Sequence, residues 1–259
     1  MSNAGRVAVV TGAASGIGRA VAVEAAASGM KVAAIDIDEA GLAALGRELG
    51  SSTELLELVV DVSDAAAVDA AAEKVLSTHD DLDLISCNAG IALVGSTWET
   101  PIDDWRRIFD VNVFGIVHMM QAFVPRLLER GSSARIVNTA SMLGLQCAPF
   151  ITAYTASKHA VVAMSECLAG ELALAGSSMT VAVLCPGRVA TPLGAGTEEE
   201  KLIEEIDVPL NRPVQPELVA EIVVRAVDSP HGFLFTHAES TDAFRERFEA
   251  IVATASQPS

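Results

Sequence analysis

The sequence is poor in basic residues. Lysine and arginine together number 17, against 34 aspartates and glutamates, and the net charge at pH 7 is −17. A nucleic-acid-binding protein needs a basic stripe for phosphates, and no such stripe is visible. Anionic membrane surfaces attract the same basic side chains. We therefore expect neither a nucleic acid nor a membrane as a partner.

Cysteines and long apolar runs are also scarce. The four cysteines are widely spaced and contain no Cys-x-x-Cys pair, so the sequence predicts reduced thiols and no metal site. No apolar run approaches the roughly 18 residues of a membrane span. No charged leader precedes an apolar core. These features favour a cytoplasmic enzyme.

Short apolar runs of β type alternate with helical patterns. The candidate strands are Val7–Thr11, Lys31–Asp36, Glu54–Val60, Leu82–Cys87, Arg135–Asn138, Thr180–Leu184 and Gly232–Phe235. The helical segments between them include Gly16–Ser28, Glu39–Leu49, Asp64–Thr78 and Ala153–Ala175. This alternation predicts an α/β fold over residues 1–259, a single doubly wound Rossmann-type domain with a seven-stranded parallel sheet and helices on both faces. The least regular stretch, about 194–212, is interpreted as a flap over the substrate.

A glycine-rich loop follows the first candidate strand, with the spacing Gly12-Ala13-Ala14-Ser15-Gly16-Ile17-Gly18. A helical pattern begins at once after it. The free N–H groups and the dipole at a helix N-terminus favour a phosphate, and glycine lets a pyrophosphate approach the backbone. Because the loop lies between a strand and a helix, it predicts a dinucleotide-binding turn that includes Ser15 and Ile17.

Asp36 ends the second candidate strand, 24 positions after Gly12. An acid at that distance is placed to accept hydrogen bonds from the adenine ribose. A carboxylate there would repel the 2′-phosphate of NADP, and Ser15 and Ile37 hold the positions where a base could bind that phosphate. The sequence therefore predicts NAD. The alternative is that Asp36 caps the next helix, although Asp38 can fill that role.

Two further strand ends carry candidate cofactor residues. Asp61 and Val62 follow the third strand, where an adenine ring could receive a hydrogen bond and an apolar contact. Asn88 follows the fourth strand in Asn88-Ala89-Gly90, whose small residues let the backbone lie against a cofactor. An ordinary strand-end acid and an ordinary turn remain open as alternatives.

Tyr154, the only tyrosine in the chain, begins the pattern Tyr-x-x-x-Lys that ends at Lys158. Positions i and i+4 share one face of a helix. A free tyrosine has a pKa near 10, and a cation about 4–5 Å away would lower it by about 2–3 units. We therefore expect Tyr154 to act as an acid or base. The spacing by itself also occurs by chance in helices.

Ser141 lies 13 residues before Tyr154, at the end of the fifth strand. Its hydroxyl could hold a substrate oxygen in line with the phenol. A nucleophilic serine is disfavoured because the Gly-x-Ser-x-Gly elbow is absent. Asn112, in an apolar helical stretch, needs buried partners and could hold a water next to Lys158. His118 is interpreted as a core histidine with its hydrogen bonds satisfied.

Together these motifs resemble the short-chain dehydrogenase/reductase family. The resemblance runs from Val7 to about Pro192 and includes, in the family's order, Thr11-Gly12, Gly16-Ile17-Gly18, Asp61-Val62, Asn88-Ala89-Gly90, Asn112, Ser141, Tyr154 to Lys158, Pro186-Gly187, Val189 and Thr191-Pro192. It implies a sheet in the order 3-2-1-4-5-6-7. It also implies hydride transfer between a nicotinamide cofactor and an alcohol or ketone.

By this resemblance Tyr154 is the acid/base and Ser141 positions the substrate oxygen. Lys158 binds the nicotinamide ribose and lowers the pKa of the tyrosine, and Asn112 anchors a proton-relay water. Val189 and Thr191 hold the nicotinamide carboxamide. The family also implies a homodimer or homotetramer formed through two long helices, here about Trp105–Arg130 and Ala153–Ala175. The tail from Thr236 follows no pattern of the family.

The leading hypothesis is an NAD-dependent enzyme acting on a lipophilic secondary alcohol or ketone. Candidate pocket residues are Ala92, Leu93, Met142, Leu143, Gly144, Cys147, Phe150, Ile151 and Leu193. One alternative is an NADP-dependent reductase of the 3-oxoacyl-carrier-protein type, for which Arg126 and Arg130 could form a small docking patch. Another is a sensor that binds NAD without turnover.

Overall fold

The structure, a computed structural model, describes residues 3–191, 193, 212–237 and 241–255. The predicted flap at 194–212 lies outside the described residues except for Arg212. Within the described ranges one parallel sheet contains β1 (Val7–Thr11), β2 (Lys31–Asp36), β3 (Leu55–Val59), β4 (Leu84–Cys87), β5 (Arg135–Thr139), β6 (Thr180–Cys185) and β7 (Phe233–Phe235). Each observed strand lies within two residues of its predicted bounds.

The seven strands described above are ordered β3-β2-β1-β4-β5-β6-β7, which confirms the predicted sheet. β1 is an inner strand: Val10 pairs with Ala34 of β2 on one side and with Ser86 of β4 on the other. The chain thus moves outward in both directions from β1. The ends of β1 and β4 border the crevice where parallel sheets bind ligands.

Helices cover both faces of the sheet. They are α1 (Gly16–Ala27), α2 (Glu39–Leu49), α3 (Ala65–Thr78), α4 (Ile102–Phe109), α5 (Gly115–Arg130), α6 (Thr152–Leu174), α7 (Pro216–Arg225) and α8 (Thr241–Ala255). One apolar core joins the sheet to α1, α2 and α7, and the other joins it to α3, α5 and α6. Such two-sided burial explains why the inner strands are apolar at nearly every position.

The predicted helix at Trp105–Arg130 is longer and less regular than expected. It begins at Ile102, and the segment Asp110–Phe114 is a π-helical turn between α4 and α5. Within the described part of the chain, Ile102–Arg130 is also the one helix long and apolar enough to cross a membrane, although half of its apolar window is buried. Phe123 and Leu127 are fully buried in the core. A core helix therefore accounts for its composition.

Candidate active site

The glycine loop forms the turn between β1 and α1. Gly12 and Gly16 have φ angles of +69° and +53°, which side chains with a Cβ rarely adopt. A Cβ on Gly18 would collide with the carbonyl of Gly12, so Gly18 packs the helix against the loop. Gly12, Ser15, Gly16 and Ile17 line a cavity of about 1300 Å³. The loop thus presents a helix N-terminus to this cavity.

Asp36 lies at the end of β2 and also faces the cavity. Its carboxylate accepts hydrogen bonds from the N–H groups of Ala14, at 2.9 Å, and Asp38, at 2.9 Å. Asp38, not Asp36, caps α2 by accepting a hydrogen bond from Gly41 at 3.0 Å. The helix-capping alternative for Asp36 is therefore wrong. Its carboxylate is instead held against the glycine loop.

Arg19 is the basic residue that follows the glycine loop directly, in the first turns of α1. Its guanidinium forms an ion pair with Glu48 of α2. Arg19 borders a small neighbouring depression and does not line the main cavity. The wall of the main cavity around Asp36 is therefore acidic and apolar, with Ile37 as the apolar neighbour.

Asp61, Val62 and Asn88 line the same cavity. Asp61 accepts hydrogen bonds from the backbone and hydroxyl of Ser63 at 2.9 and 2.7 Å. The carbonyl of Val62 is hydrogen-bonded to Nδ1 of His118 at 2.9 Å. His118 is half-buried and not part of the apolar core, and its hydrogen bond holds the segment that follows β3.

Two threonines hold neighbouring segments of the site in place, although their residue types do not predict this role. The Thr11 hydroxyl accepts hydrogen bonds from the N–H groups of Asn88, at 2.9 Å, and Ala89, at 3.1 Å. The backbone carbonyl of Thr139 accepts a hydrogen bond from Lys158 at 2.8 Å. Thr11 precedes the glycine motif directly, and this adjacency was the available signal. The main-chain role of Thr139 leaves no signal in residue type.

Tyr154 and Ser141 come together at the cavity wall. The two side chains are hydrogen-bonded, and Ser141 also accepts a hydrogen bond from the N–H of Leu143 at 3.1 Å. Ser141 therefore caps a short 3₁₀ turn, Met142–Gly144. Ser141 lies two residues beyond β5, not at the last strand position as predicted.

The protonation of Tyr154 differs from the prediction. Burial is the largest influence and raises the pKa of the phenol, while the hydrogen bond from Ser141 lowers it by a smaller amount. The Nζ of Lys158 lies 5.6 Å from the ring centroid and is held by the carbonyl of Thr139. The pKa of Tyr154 is therefore raised, not lowered as predicted, because desolvation by burial is the dominant influence.

Lys158 is 3% exposed and also lines the cavity. Burial lowers its pKa from 10.5 to about 8, while the neighbouring Cys185 raises it slightly. A buried ammonium costs free energy unless it is hydrogen-bonded, so its retention beside a cavity is typical of a binding group. The sequence correctly predicts that Lys158 and Tyr154 share one helix face.

Asn112 lies in the π-helical turn and is fully buried, so it does not line the cavity. Its Oδ1 accepts a hydrogen bond from Ile91 N at 2.8 Å, and its Nδ2 donates to Ile91 O at 2.9 Å and to the Ser157 hydroxyl at 3.0 Å. These bonds hold the loop after β4 against α6. A Cβ placed on Gly90 would lie 3.1 Å from Asn112 Oδ1 and 3.5 Å from Lys158 Nζ. Asn112 and Lys158 thus face the same point from two sides.

The loop after β6 supplies Val189 and Thr191 to the cavity wall. Ala190 N donates to the carbonyl of Val214 at 2.9 Å, and Val214 N donates to the carbonyl of Arg188 at 3.0 Å. The loop is thereby paired with the strand-like segment around Val214. Of the predicted pocket residues, Ala92, Leu143, Ile151 and Leu193 line the cavity. Met142 and Gly144 are buried in the core, and Leu93, Cys147 and Phe150 are outside the cavity wall.

Known proteins share this fold and these motifs. A family model described as short chain dehydrogenase matches residues 6–202. The 1-deoxy-11-beta-hydroxypentalenate dehydrogenase of Streptomyces avermitilis is 36% identical over 247 residues, covering 94% of this chain and 89% of the relative. A short chain dehydrogenase/reductase SDR from Burkholderia phymatum, solved with NAD, has a TM-score of 0.91 and 32% identity over 100% of this chain and 99% of that one. The 3-ketoacyl-(acyl-carrier-protein) reductase from Brucella melitensis, complexed with NADH, has a TM-score of 0.80 and 32% identity, covering 91% and 98%.

The parallel sheet, the glycine loop and the cavity beside that loop define a Rossmann-type fold of the kind seen in these dehydrogenases. The chain belongs to the short-chain dehydrogenase/reductase family. It is an oxidoreductase that acts on hydroxyl or keto groups.

Proposed function

We propose that this protein is an NAD-dependent dehydrogenase of lipophilic secondary alcohols, with Tyr154 as the acid/base. The observation that carries the proposal is that the Ser141 hydroxyl and the Tyr154 phenol come together at the wall of one cavity. This pair lies in the wall of a cavity that also contains the glycine loop and Asp36. A dinucleotide bound by the loop would lie beside a hydroxyl pair able to hold a substrate oxygen.

The residues present fit a nicotinamide dinucleotide. Gly12 and Gly16 leave the helix N-terminus open to a pyrophosphate, and the Ser15 hydroxyl makes no capping bond to α1. Lys158 would donate to the nicotinamide ribose, and Val189 and Thr191 would hold the carboxamide. When bound, NAD accepts the hydride that leaves the alcohol carbon.

The chain's own groups would handle the proton. The raised pKa of Tyr154 keeps the phenol protonated at neutral pH, so it can donate a proton to a ketone oxygen. For alcohol oxidation the phenol must first lose that proton. We therefore expect the rate of oxidation to rise with pH. Ser141 would orient the substrate oxygen, and Asn112 would hold the loop after β4 against the helix that carries Tyr154 and Lys158.

The choice of NAD over NADP rests on charge. The Asp36 carboxylate lies where the adenine ribose would bind, and it would repel a 2′-phosphate. Arg19, the basic residue next to the glycine loop, is paired with Glu48. A ribose with two free hydroxyls can instead donate hydrogen bonds to Asp36.

The proposed substrate class follows from the lining of the cavity. Ile91, Leu143, Ile151 and Leu193 contribute apolar side chains to the wall of the cavity that also contains Ser141 and Tyr154. Sites of this kind bury most of a small molecule against apolar groups and orient it with a few polar ones. The relative from Streptomyces avermitilis is named as a dehydrogenase of a hydroxypentalenate, which is a hydroxyl compound.

We also propose a cytoplasmic homodimer or homotetramer that buries exposed apolar positions on α5 and α6. Phe114 and Leu128 are 48% and 39% exposed on the turn before α5 and on α5, and Leu174 at the end of α6 is 92% exposed. A contact between copies of the chain would remove these apolar side chains from water.

The reductase of carrier-bound acyl chains is less well supported. A docking patch for an acidic carrier needs free cations, but Arg126 is paired with Asp69 at 2.8 Å. Arg130 donates to the carbonyls of Leu76 at 3.1 Å and Asp80 at 2.9 Å. Both side chains are therefore engaged within the protein. The retention of Tyr154 and Lys158 argues against a sensor without turnover.

The test is a turnover assay on the purified protein. Secondary alcohols of increasing apolar size are supplied with NAD or NADP at alkaline pH, and the absorbance of the reduced nicotinamide is followed. We expect turnover with NAD and a lower KM for the larger apolar alcohols. Turnover with NADP alone would contradict the role of Asp36. Tight NAD binding without turnover of any alcohol or ketone would support the sensor.

A further inference from the structure

The segment after β7 contacts the loop that carries Val189 and Thr191. Gly187 N donates to the Thr236 hydroxyl at 3.1 Å, and that hydroxyl lies 2.7 Å from Nδ1 of His237. The Thr236 proton is free to donate to Nδ1, which leaves the proton on Nε2 to donate to the carbonyl of Arg212 at 3.1 Å. His237 is 3% exposed. One buried imidazole therefore links the start of the cofactor loop to Arg212.

Gly187 also packs closely against His237. A Cβ at this glycine would lie 2.6 Å from Nδ1 of His237, so the imidazole fills the space where a side chain would be. On its other side the loop pairs with Val214 through Arg188 and Ala190. The loop is thus held between the Val214 segment and the Thr236–His237 pair.

The C-terminal helix α8 contacts the second loop of the site. Arg247 Nη1 donates to the carbonyl of Leu145 at 2.9 Å. Leu145 closes the 3₁₀ turn that Ser141 caps, since its N–H donates to Met142 O at 3.0 Å. The ring of Phe244 stacks on Phe235 of β7 at 5.7 Å, which anchors α8 on the sheet.

The turn that Arg247 holds lies directly against the catalytic helix. A Cβ on Gly144 would lie 2.8 Å from the carbonyl of Lys158. A displacement of this turn would therefore change the distance between Ser141 and the face of α6 that carries Tyr154 and Lys158.

We propose that Arg247 and His237 are positioning residues: Arg247 fixes the turn that carries Ser141, and His237 fixes the loop that carries Val189 and Thr191. The proposal rests on the proposed dehydrogenase function. Neither side chain lines the cavity, so each acts through the backbone of a loop. A small displacement of reacting groups lowers rates strongly because catalysis depends on their alignment.

The test of Arg247 compares Arg247→Gln with Arg247→Lys, which keeps a cationic donor. Arg245→Gln is the matched control, because Arg245 lies on the same helix with its side chain 68% exposed. Rates are expressed per NAD-binding site, so loss of folded protein does not count. We expect Arg247→Gln to lower kcat about tenfold with an unchanged KM for NAD, and Arg247→Lys to recover most of the loss.

A parallel test uses His237→Leu and His237→Gln. The leucine removes both ring hydrogen bonds, whereas glutamine keeps one donor and one acceptor. We expect His237→Leu to raise the KM for NAD about tenfold and to increase the deuterium isotope effect on alcohol oxidation, with partial recovery in His237→Gln.

The outcomes separate this inference from the proposed function. If the wild type oxidises alcohols with NAD and Arg247→Gln matches Arg245→Gln, the positioning role of Arg247 is overturned and the dehydrogenase function stands. If Arg247→Gln or His237→Leu yields no folded protein, the role of that residue is structural and its part of the inference fails. If the wild type shows no turnover, the proposed function itself fails.

Discussion

Asp36 shows how one side chain can determine the cofactor. It is held by the N–H groups of Ala14 and Asp38, so its carboxylate is oriented before a ligand binds. The neighbouring Asp38 caps α2 and gives a matched comparison two residues away.

We expect Asp36→Ala to raise the KM for NAD about 10- to 100-fold, the range that corresponds to a lost charge-assisted hydrogen bond. The same variant loses the repulsion of a 2′-phosphate, so its activity with NADP should rise. Asp38→Ala should instead lower stability by about 1 kcal/mol without changing the ratio of the two activities. Steady-state kinetics with both cofactors measure this ratio, and an unchanged ratio in Asp36→Ala would contradict the assignment.

Burying the charged ammonium of Lys158 lowers the free energy of unfolding of the protein. Its pKa falls from 10.5 to about 8 because it is buried. Between these two values the unfolded chain holds the proton that the folded protein has lost. The contribution of Lys158 to stability therefore rises with pH across this window, and below it the burial penalty is constant.

We expect Lys158→Met to be more stable than the wild type at pH 7, by up to about 3 kcal/mol, although inactive. The difference should shrink as the pH rises from about 8 towards 10.5. Urea denaturation over this range gives the free energies of unfolding, and Lys74→Met, at an exposed site, is the control. A difference that does not change with pH would show that burial does not set the protonation of Lys158.

For individual residues, the sequence predicts which side chains lie close together, but it does not predict their pKa values. The spacing of Tyr154 and Lys158 places them on one helix face, and Ser141 follows a strand end beside them. The pKa of Tyr154 is raised because segments distant in the sequence bury its side chain. That burial leaves no trace in local spacing, so the sequence-based expectation is wrong.

The π-helical turn at Asp110–Phe114 is the element that brings Asn112 into the interior. The sequence pattern is that of an ordinary apolar helix, so it predicts one regular segment. The widened turn depends on the bonds that the Asn112 amide makes to Ile91 and Ser157. It is therefore a tertiary feature that helical periodicity cannot reveal.

We expect Asn112→Ala to lower the free energy of unfolding by about 2–4 kcal/mol, because three hydrogen bonds to buried groups are lost. It should also lower kcat per folded site, since the Ile91 loop and α6 lose their link. Ser165→Ala is the comparison: Ser165 is buried lower on α6 and accepts a hydrogen bond from Asn138. Thermal unfolding and turnover are measured for both variants. If Ser165→Ala lowers kcat as much as Asn112→Ala does, Asn112 has no special role in catalysis.

The sequence predicts most strands and helices of the sheet and its two helical layers, because apolar runs and helix caps are local signals. Asp38 and Asp64 cap α2 and α3 where the patterns begin. The role of α8 has no such signal, because its contact between Arg247 and Leu145 spans 102 positions.

At the scale of the whole molecule, α5 and α6 leave apolar positions in solvent. Leu174 is 92% exposed, and Leu128 is 39% exposed. The net charge of −17 opposes unspecific association, so a specific contact between copies is the expected means of covering these faces.

We expect the double variant Leu128→Glu/Leu174→Glu to sediment as a smaller species than the wild type, because a buried charge disfavours an apolar contact. Leu218→Glu, at another exposed leucine on α7, serves as the control. Sedimentation velocity compares the three proteins. A wild type that is already a monomer would contradict the proposed homo-oligomer.

The central claim is that Tyr154 exchanges the proton in an NAD-dependent oxidation. The most direct measurement is turnover of Tyr154→Phe with a secondary alcohol, set beside its affinity for NAD. The phenol hydroxyl is removed and the ring is kept, so we expect kcat to fall about 10²- to 10⁴-fold while the Kd of NAD changes less than about twofold. Unchanged turnover in this variant would contradict the account.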